Sequence, residues 1–138
     1  MFEVPEWAAN KVVYQIFPSR FAATEPVDKE LWYKAPITPM DDLQGNLRGI
    51  IEHMDDIQNL GIDVLYMTPI FQSNSCHKYD TTDYYKIDPS FGTTEDLKEL
   101  VQKAHERGLK VVLDAVYNHT GREFFAFADI LENGEKSK

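Results

Sequence analysis

Two glycines at matching places in the pattern constrain this chain more than any other feature. Apolar residues at Leu47, Ile50, Ile51, Met54, Ile57 and Leu60 recur at the three-and-four spacing of an amphipathic helix, and Gly61 is placed to end it. Leu97, Leu100, Val101 and Ala104 form a second such face. It is opened by Thr93, three residues before Asp96 in a capping-box pattern, and closed by Gly108. A short apolar run follows each glycine closely, Val64 to Met67 and Leu109 to Ala115, and a third run, Val12 to Phe17, ends at Pro18 ahead of the first helix. The order is strand, helix, strand, helix, strand, an α/β pattern that predicts three parallel strands. The last run is nearly continuously apolar, which predicts a strand covered on both faces.

The helix-to-strand connections are tight, whereas both strand-to-helix segments are long. Residues 18–45 carry Pro26, Pro36, Pro39 and Gly45 with little periodicity and read as a loop, as does the stretch from Ser73 to Gly92. Loops of that length inside a compact domain are usually functional or mobile. Both leave the C-terminal ends of strands, so function is expected to collect on that face. There the apolar residues Val111, Val112 and Leu113 run straight into Asp114, Asn118 and His119. By residue type alone such a cluster also fits a turn or a helix cap.

The size and charge of the chain narrow the partners. A length of 138 residues is that of one ordinary domain, able to bury a reasonable core. A formal charge of -9 without any Lys/Arg-rich run argues against nucleic acid, which is bound by clustered basic side chains, and suits a neutral, hydroxyl-rich ligand. The single Cys76 excludes an intramolecular disulfide and a Cys-based zinc site. The first residues, Met1 to Trp7, lack the basic region and apolar core of a secretory signal, and no apolar run approaches a membrane span. A soluble, cytoplasmic protein with no membrane partner is expected.

The pattern Asp-x-Val-x-Asn-His at Asp114, Val116, Asn118 and His119 resembles the first sequence signature of the α-amylase family of glycoside hydrolases. Other segments fit that family in the right order. Val12 to Phe21 looks like its opening strand, Asp42 to Gly49 like the start of its first helix, and Gly61 to Pro69 like its second strand. Tyr79, Asp83 and Tyr84 match its Tyr-x-x-x-Asp-Tyr element, and the resemblance is nearest to the neopullulanase and cyclomaltodextrinase branch.

The resemblance implies a partial TIM (β/α)₈ barrel, since a complete one needs about 250 residues. Residues 1–121 would supply its first three strands and two helices. Residues 122–138 would begin the excursion known as domain B: Phe124, Phe125, Phe127, Ile130 and Leu131 stand at roughly helical spacing, and Glu132 to Lys138 run on without another strand. It also implies an α-glucan substrate and a retaining mechanism, which needs two carboxyl groups about 5 to 5.5 Å apart. The family carries its nucleophile, acid/base and supporting aspartate after the fourth, fifth and seventh strands, and no Gly-x-Arg-x-Asp sequence occurs here. No catalytic residue is therefore assigned, and the isolated chain is expected to be inactive.

For matched positions the resemblance implies roles one at a time. Tyr79 would stack on the sugar beside the scissile bond, and His119 would hydrogen-bond the same sugar. Asp114 would order the site, partly through an arginine from the fourth strand, and must here find another donor because a buried, unpaired carboxylate is costly. Asp83 would hold its loop through backbone N–H bonds. Asn118 corresponds to a calcium-binding residue of many amylases, but one amide oxygen cannot make a site of about six to eight oxygens, so neither metal nor cofactor is expected. Which way Tyr14, Gln15 and Arg20 face is left open by the sequence.

A second reading is a non-catalytic, self-associating βαβ interaction module. Under either reading the strand edges lack neighbours, which favours a homo-oligomer. If about 600 Å² of apolar area stays uncovered, hiding it contributes on the order of 15 kcal/mol before association costs. A flavodoxin-like domain is disfavoured, because Pro18 to Phe21 offers no glycine-rich phosphate turn.

Overall fold

The computed structural model describes residues 3–24, 26–38 and 40–137; Pro39 of the first loop and Lys138 of the tail lie outside them. Strands β1 (Val13–Ile16), β2 (Val64–Met67) and β5 (Lys110–Leu113) form one parallel sheet in the order β1-β2-β5. Strands β3 (Phe71–Ser73) and β4 (Thr81–Ile87) pair antiparallel in a second sheet. The helices are α1 (Pro18–Phe21), α2 (Lys29–Trp32), α3 (Leu47–Glu52), α4 (Met54–Asn59), α5 (Thr94–Glu106) and α6 (Phe125–Asn133).

The parallel sheet has the expected strand order and two distinct faces. Register sets Tyr14, Leu65 and Val111 in one row and Ile16, Met67 and Leu113 in the next but one. All six pack with Leu47, Ile50, Met54, Ile57, Leu100 and Ala104 in the core beneath the helices. Each large apolar side chain wholly buried there contributes roughly 1.5 to 3 kcal/mol. The alternate rows, Val13/Val64/Lys110 and Gln15/Tyr66/Val112, project to the other side because strand side chains alternate. That side is open at Val13 (59% exposed) and Gln15 and half-open at Tyr66 and Val112, while Val64 is buried at 3%, with Trp7, Ala8 and Lys11 lying beside it. The expectation that the third strand is covered on both faces is therefore corrected: Val111, Val112 and Leu113 are only half-buried, since helices cover one side alone. Continuous apolarity reported a strand that needs two covers, not one that has them.

The glycines behave as the pattern required. Gly61 (φ +72°) and Gly108 (φ +75°) end their helices in the left-handed region that favours glycine. At the start of α5 the Thr93 hydroxyl accepts the Asp96 N–H at 3.2 Å, and the Asp96 carboxylate accepts the Thr93 N–H at 2.8 Å, closing the capping box. Arg48 ties α3 to α5, 2.7 Å from Asp96 and 2.8 Å from Glu99.

Three expectations need correction. The single helix over Leu47–Leu60 is two, because His53 leaves helical ψ (15°) between α3 and α4. The bend holds Leu47, Ile50, Ile51, Met54 and Ile57 against the sheet and leaves Leu60 exposed. The first loop contains α1, begun by Pro18, and α2, capped by the Asp28 carboxylate on the N–H groups of Glu30 and Leu31. Helices of one turn are too short to show a period. The second loop contains the β3–β4 hairpin, whose register shifts on both sides of Gln72 and so breaks the alternation that marks a strand. The spacing of the Phe124–Leu131 stretch does form a helix, α6, but none of its residues is buried.

Candidate functional site

The site is assembled where β2 and β5 end and the β3–β4 hairpin arches beside them. The Asp114 N–H donates to Met67 O at 3.0 Å, which continues the ladder by one residue and fixes the carboxylate at the strand end. The Tyr79 hydroxyl, from the hairpin loop, donates to Asp114 Oδ2 at 2.7 Å. Tyr66, on the open face of β2, offers the same carboxylate a second phenol. That hydrogen bond, with burial, raises the Tyr66 pKa. Burial first, then the Asp114 hydrogen bond, pushes the Tyr79 phenol up to about 12. The stranded carboxylate has thus found the Tyr79 hydroxyl as a donor, with the Tyr66 phenol facing it from β2.

His119 holds the other end of Tyr79. Its Nε2 lies 3.0 Å from the Tyr79 carbonyl oxygen, and its Nδ1 lies 3.2 Å from Asn118 Nδ2. An amide N–H at Nδ1 makes that nitrogen the acceptor, so the neutral ring carries its proton on Nε2 and donates it to Tyr79. The Tyr79 N–H in turn donates to His77 Nδ1 at 3.1 Å. Tyr79 is gripped at hydroxyl, carbonyl and amide while 36% of its surface stays exposed.

Four sequence-selected residues, Tyr79, Asp114, Asn118 and His119, therefore share one hydrogen-bonded group. Asp83 does not join it. Its carboxylate accepts the Tyr85 N–H at 2.8 Å and pairs with Lys86 at 2.9 Å, and Lys86 foremost holds its pKa below the usual carboxylate range. Asp80 accepts from the Ser73 and Ser75 hydroxyls; burial would raise its pKa, but these bonds outweigh burial and lower it. Of the residues whose direction was open, Tyr14 packs toward the helices with its ring edge-on to Phe21, Gln15 stands on the open face, and Arg20 donates to Thr38 O at 2.9 Å.

Tyr66 and Lys78 were missed from sequence. Leu65 and Met67 both face the helices, so alternation alone would have turned the intervening Tyr66 toward the strand-end cluster. Lys78 is buried, its ammonium 2.9 Å from the buried Asp88 carboxylate, and a lysine in a polar loop carries no signal of burial. Among the described residues no three His, Cys, Asp or Glu side chains converge as a metal site, and no helix is long and apolar enough to cross a membrane.

A parallel β/α sheet whose polar side chains gather at the C-terminal strand ends defines a segment of a (β/α)₈ barrel. Residues 15–138 match the alpha amylase catalytic domain family. The chain belongs to this alpha-amylase family of glycoside hydrolases. It is 51% identical to a cyclomaltodextrinase of Thermoanaerobacter pseudethanolicus, over all of this chain and 25% of that protein. It is 48% identical to neopullulanase 2 of Thermoactinomyces vulgaris, over all of this chain and 24% of that one. An intracellular maltogenic amylase of Bacillus subtilis is 41% identical, over 99% and 24% respectively. Among solved structures, the ligand-free cyclic alpha-maltosyl-(1→6)-maltose hydrolase of Arthrobacter globiformis superposes with a TM-score of 0.88 at 44% identity, over 98% of this chain and 31% of that one. The chain spans about a quarter of the length of the curated relatives it matches.

Proposed function

We propose that this chain forms one flank of the sugar-binding cleft of a retaining α-glucan hydrolase or transglycosidase, with residues 1–121 as the first part of the catalytic barrel and 122–138 as the start of domain B. The observation that carries the reading is the fixed yet accessible Tyr79, held by Asp114 at 2.7 Å and by His119 at 3.0 Å. An aromatic face suits the apolar C–H face of a sugar ring, and the surrounding polar groups suit its hydroxyl rim. In this reading Tyr79 is the stacking platform and His119 a hydrogen-bonding partner, a sugar hydroxyl replacing the Asn118 amide at Nδ1. Asp114 holds Tyr79, Asn118 holds His119 until the sugar arrives, and Asp83 braces the hairpin. The names of the relatives support starch-derived oligosaccharides as the substrate class.

The nucleophile and acid/base of the family belong to strands other than these three, so the chain alone binds without cleaving. Its location would be cytoplasmic, in keeping with the relative described as intracellular. A second reading, a self-associating βαβ module, is favoured by one observation: α6 buries nothing and leaves Ile130 (53%) and Leu131 (69%) exposed. The two readings are compatible.

The test is an NMR titration of the isotope-labelled chain with maltotriose and β-cyclodextrin, together with an assay for released reducing sugar. Shifts concentrated at Tyr79 and His119, abolished in Tyr79→Ala, are expected, with no turnover. Sugar-induced shifts confined to other surfaces, or hydrolysis at an ordinary enzymatic rate by the purified chain, would refute the reading.

A further inference from the structure

The buried ion pair of Lys78 and Asp88 is used by nothing described so far, and it sits one residue from Tyr79. The two side chains are only 5% and 7% exposed. Every polar group of Lys78 has a partner. Its N–H donates to Ser75 Oγ at 3.1 Å, its carbonyl accepts the Thr81 hydroxyl at 3.2 Å, and its ammonium lies 2.9 Å from Asp88 Oδ2 and 5.1 Å from the centre of the Phe91 ring. Its φ is +62°, a left-handed conformation that glycine or asparagine would adopt more readily.

Asp88 carries the restraint into the scaffold. Its carboxylate also accepts the N–H groups of Ser73 and Ser90, each at 3.0 Å, and the Ser90 hydroxyl at 2.6 Å. Phe91, beneath the ammonium, is wholly buried and accepts the Leu47 N–H at 3.0 Å, at the start of α3. A buried ion pair adds little net stability over an apolar side chain of the same volume, whereas it accepts one geometry only. We propose that Lys78, through Asp88, is the positioning residue that aims Tyr79 at Asp114 and keeps its ring face open to sugar. This rests on the reading of Tyr79 as the sugar platform and adds the residue that sets it.

The experiment compares the full chain with K78M by NMR, following Tyr79 through a pH titration. In the parent, burial and then the Asp114 hydrogen bond push the Tyr79 phenol up to about 12. In K78M it is expected to fall toward the ordinary tyrosine value of about 10, with loss of the Tyr79 ring contacts to the Asp114 strand end and an otherwise unchanged amide spectrum. A folded K78M whose Tyr79 titrates as in the parent overturns the proposal. Should K78M fail to fold, S90A, which removes the hydroxyl bond on Asp88, gives the same reading: a shifted Tyr79 supports the role and an unchanged one overturns it. Titrating both proteins with maltotriose separates the two readings. Equal sugar shifts alongside a moved Tyr79 titration would sink the sugar platform and leave the positioning role standing.

Discussion

The Tyr84 hydroxyl lies 2.9 Å from the carbonyl oxygen of His119 and 2.5 Å from that of Val116. One phenol proton thus serves two acceptors on the loop after β5, and the ring packs edge-on against Phe124 at 5.6 Å. The hairpin strand β4 thereby holds the segment that carries His119. Tyr84→Phe keeps the ring and removes the proton. It should lower stability by about 1 kcal/mol, the usual net worth of such a bond, with an unchanged urea m-value and faster amide exchange over residues 116–121.

Gly121 crosses the hairpin at a distance no side chain tolerates. A Cβ there would stand 2.3 Å from the Asp80 carbonyl oxygen, while the Gly121 N–H donates to Thr81 O at 2.8 Å. Gly121→Ala must push two backbones apart and should cost about 2 kcal/mol, read as a lowered thermal midpoint. At Gly61 a Cβ would meet nothing, so Gly61→Ala should cost only about 1 kcal/mol, through its positive φ alone.

The titrating groups give stability a limit at each end of the pH scale. The folded Tyr79 pKa of about 12 lies above the ordinary value of about 10. Its contribution is complete below pH ~10 and is lost as pH rises toward ~12, so Tyr79→Phe should flatten the alkaline limb of a urea midpoint profile. For Asp88, burial raises the pKa, but the Ser90 and Lys78 bonds outweigh it and bring it below the usual range. Its contribution is complete above pH ~4 and is lost as pH falls through the lowered folded value.

Removing the Asp88 charge is a different experiment from protonating the protein as a whole. Asp88→Asn leaves the buried Lys78 ammonium without its counter-charge and should cost about 3 kcal/mol at neutral pH by chemical denaturation. A loss below ~1 kcal/mol would mean that solvent reaches the pair.

Self-association is expected from the open sheet face and from α6. Light scattering during size-exclusion chromatography should give a multiple of the 15.9 kDa chain mass, reduced by Val13→Asp or Leu131→Asp. A stable species at the single-chain mass contradicts this.

The sequence disclosed those parts of the fold that obey a period. The stripes Leu47–Ile57 and Leu97–Ala104, the glycines after them and the apolar runs between fix the parallel sheet, because burial on one side imposes spacing. Features that rest on single contacts stayed hidden: the break at His53, the one-turn helices and the irregular hairpin leave no repeat to read. The same division runs through the site. Tyr79, Asp114, Asn118 and His119 were visible as motif positions, whereas Tyr66 passed as one more strand residue and the Lys78–Asp88 pair depends on loop geometry that no local pattern encodes.

The side of the sheet that is already filled has a consequence for assembly. Tyr14, Ile16, Leu65, Met67, Val111 and Leu113 are already packed under their helices, while the Gln15, Tyr66 and Val112 row is only partly covered among the described residues. Whatever comes to lie over the Gln15 and Val112 row therefore meets a sheet whose other face is already packed, so covering it adds apolar burial without rebuilding the core.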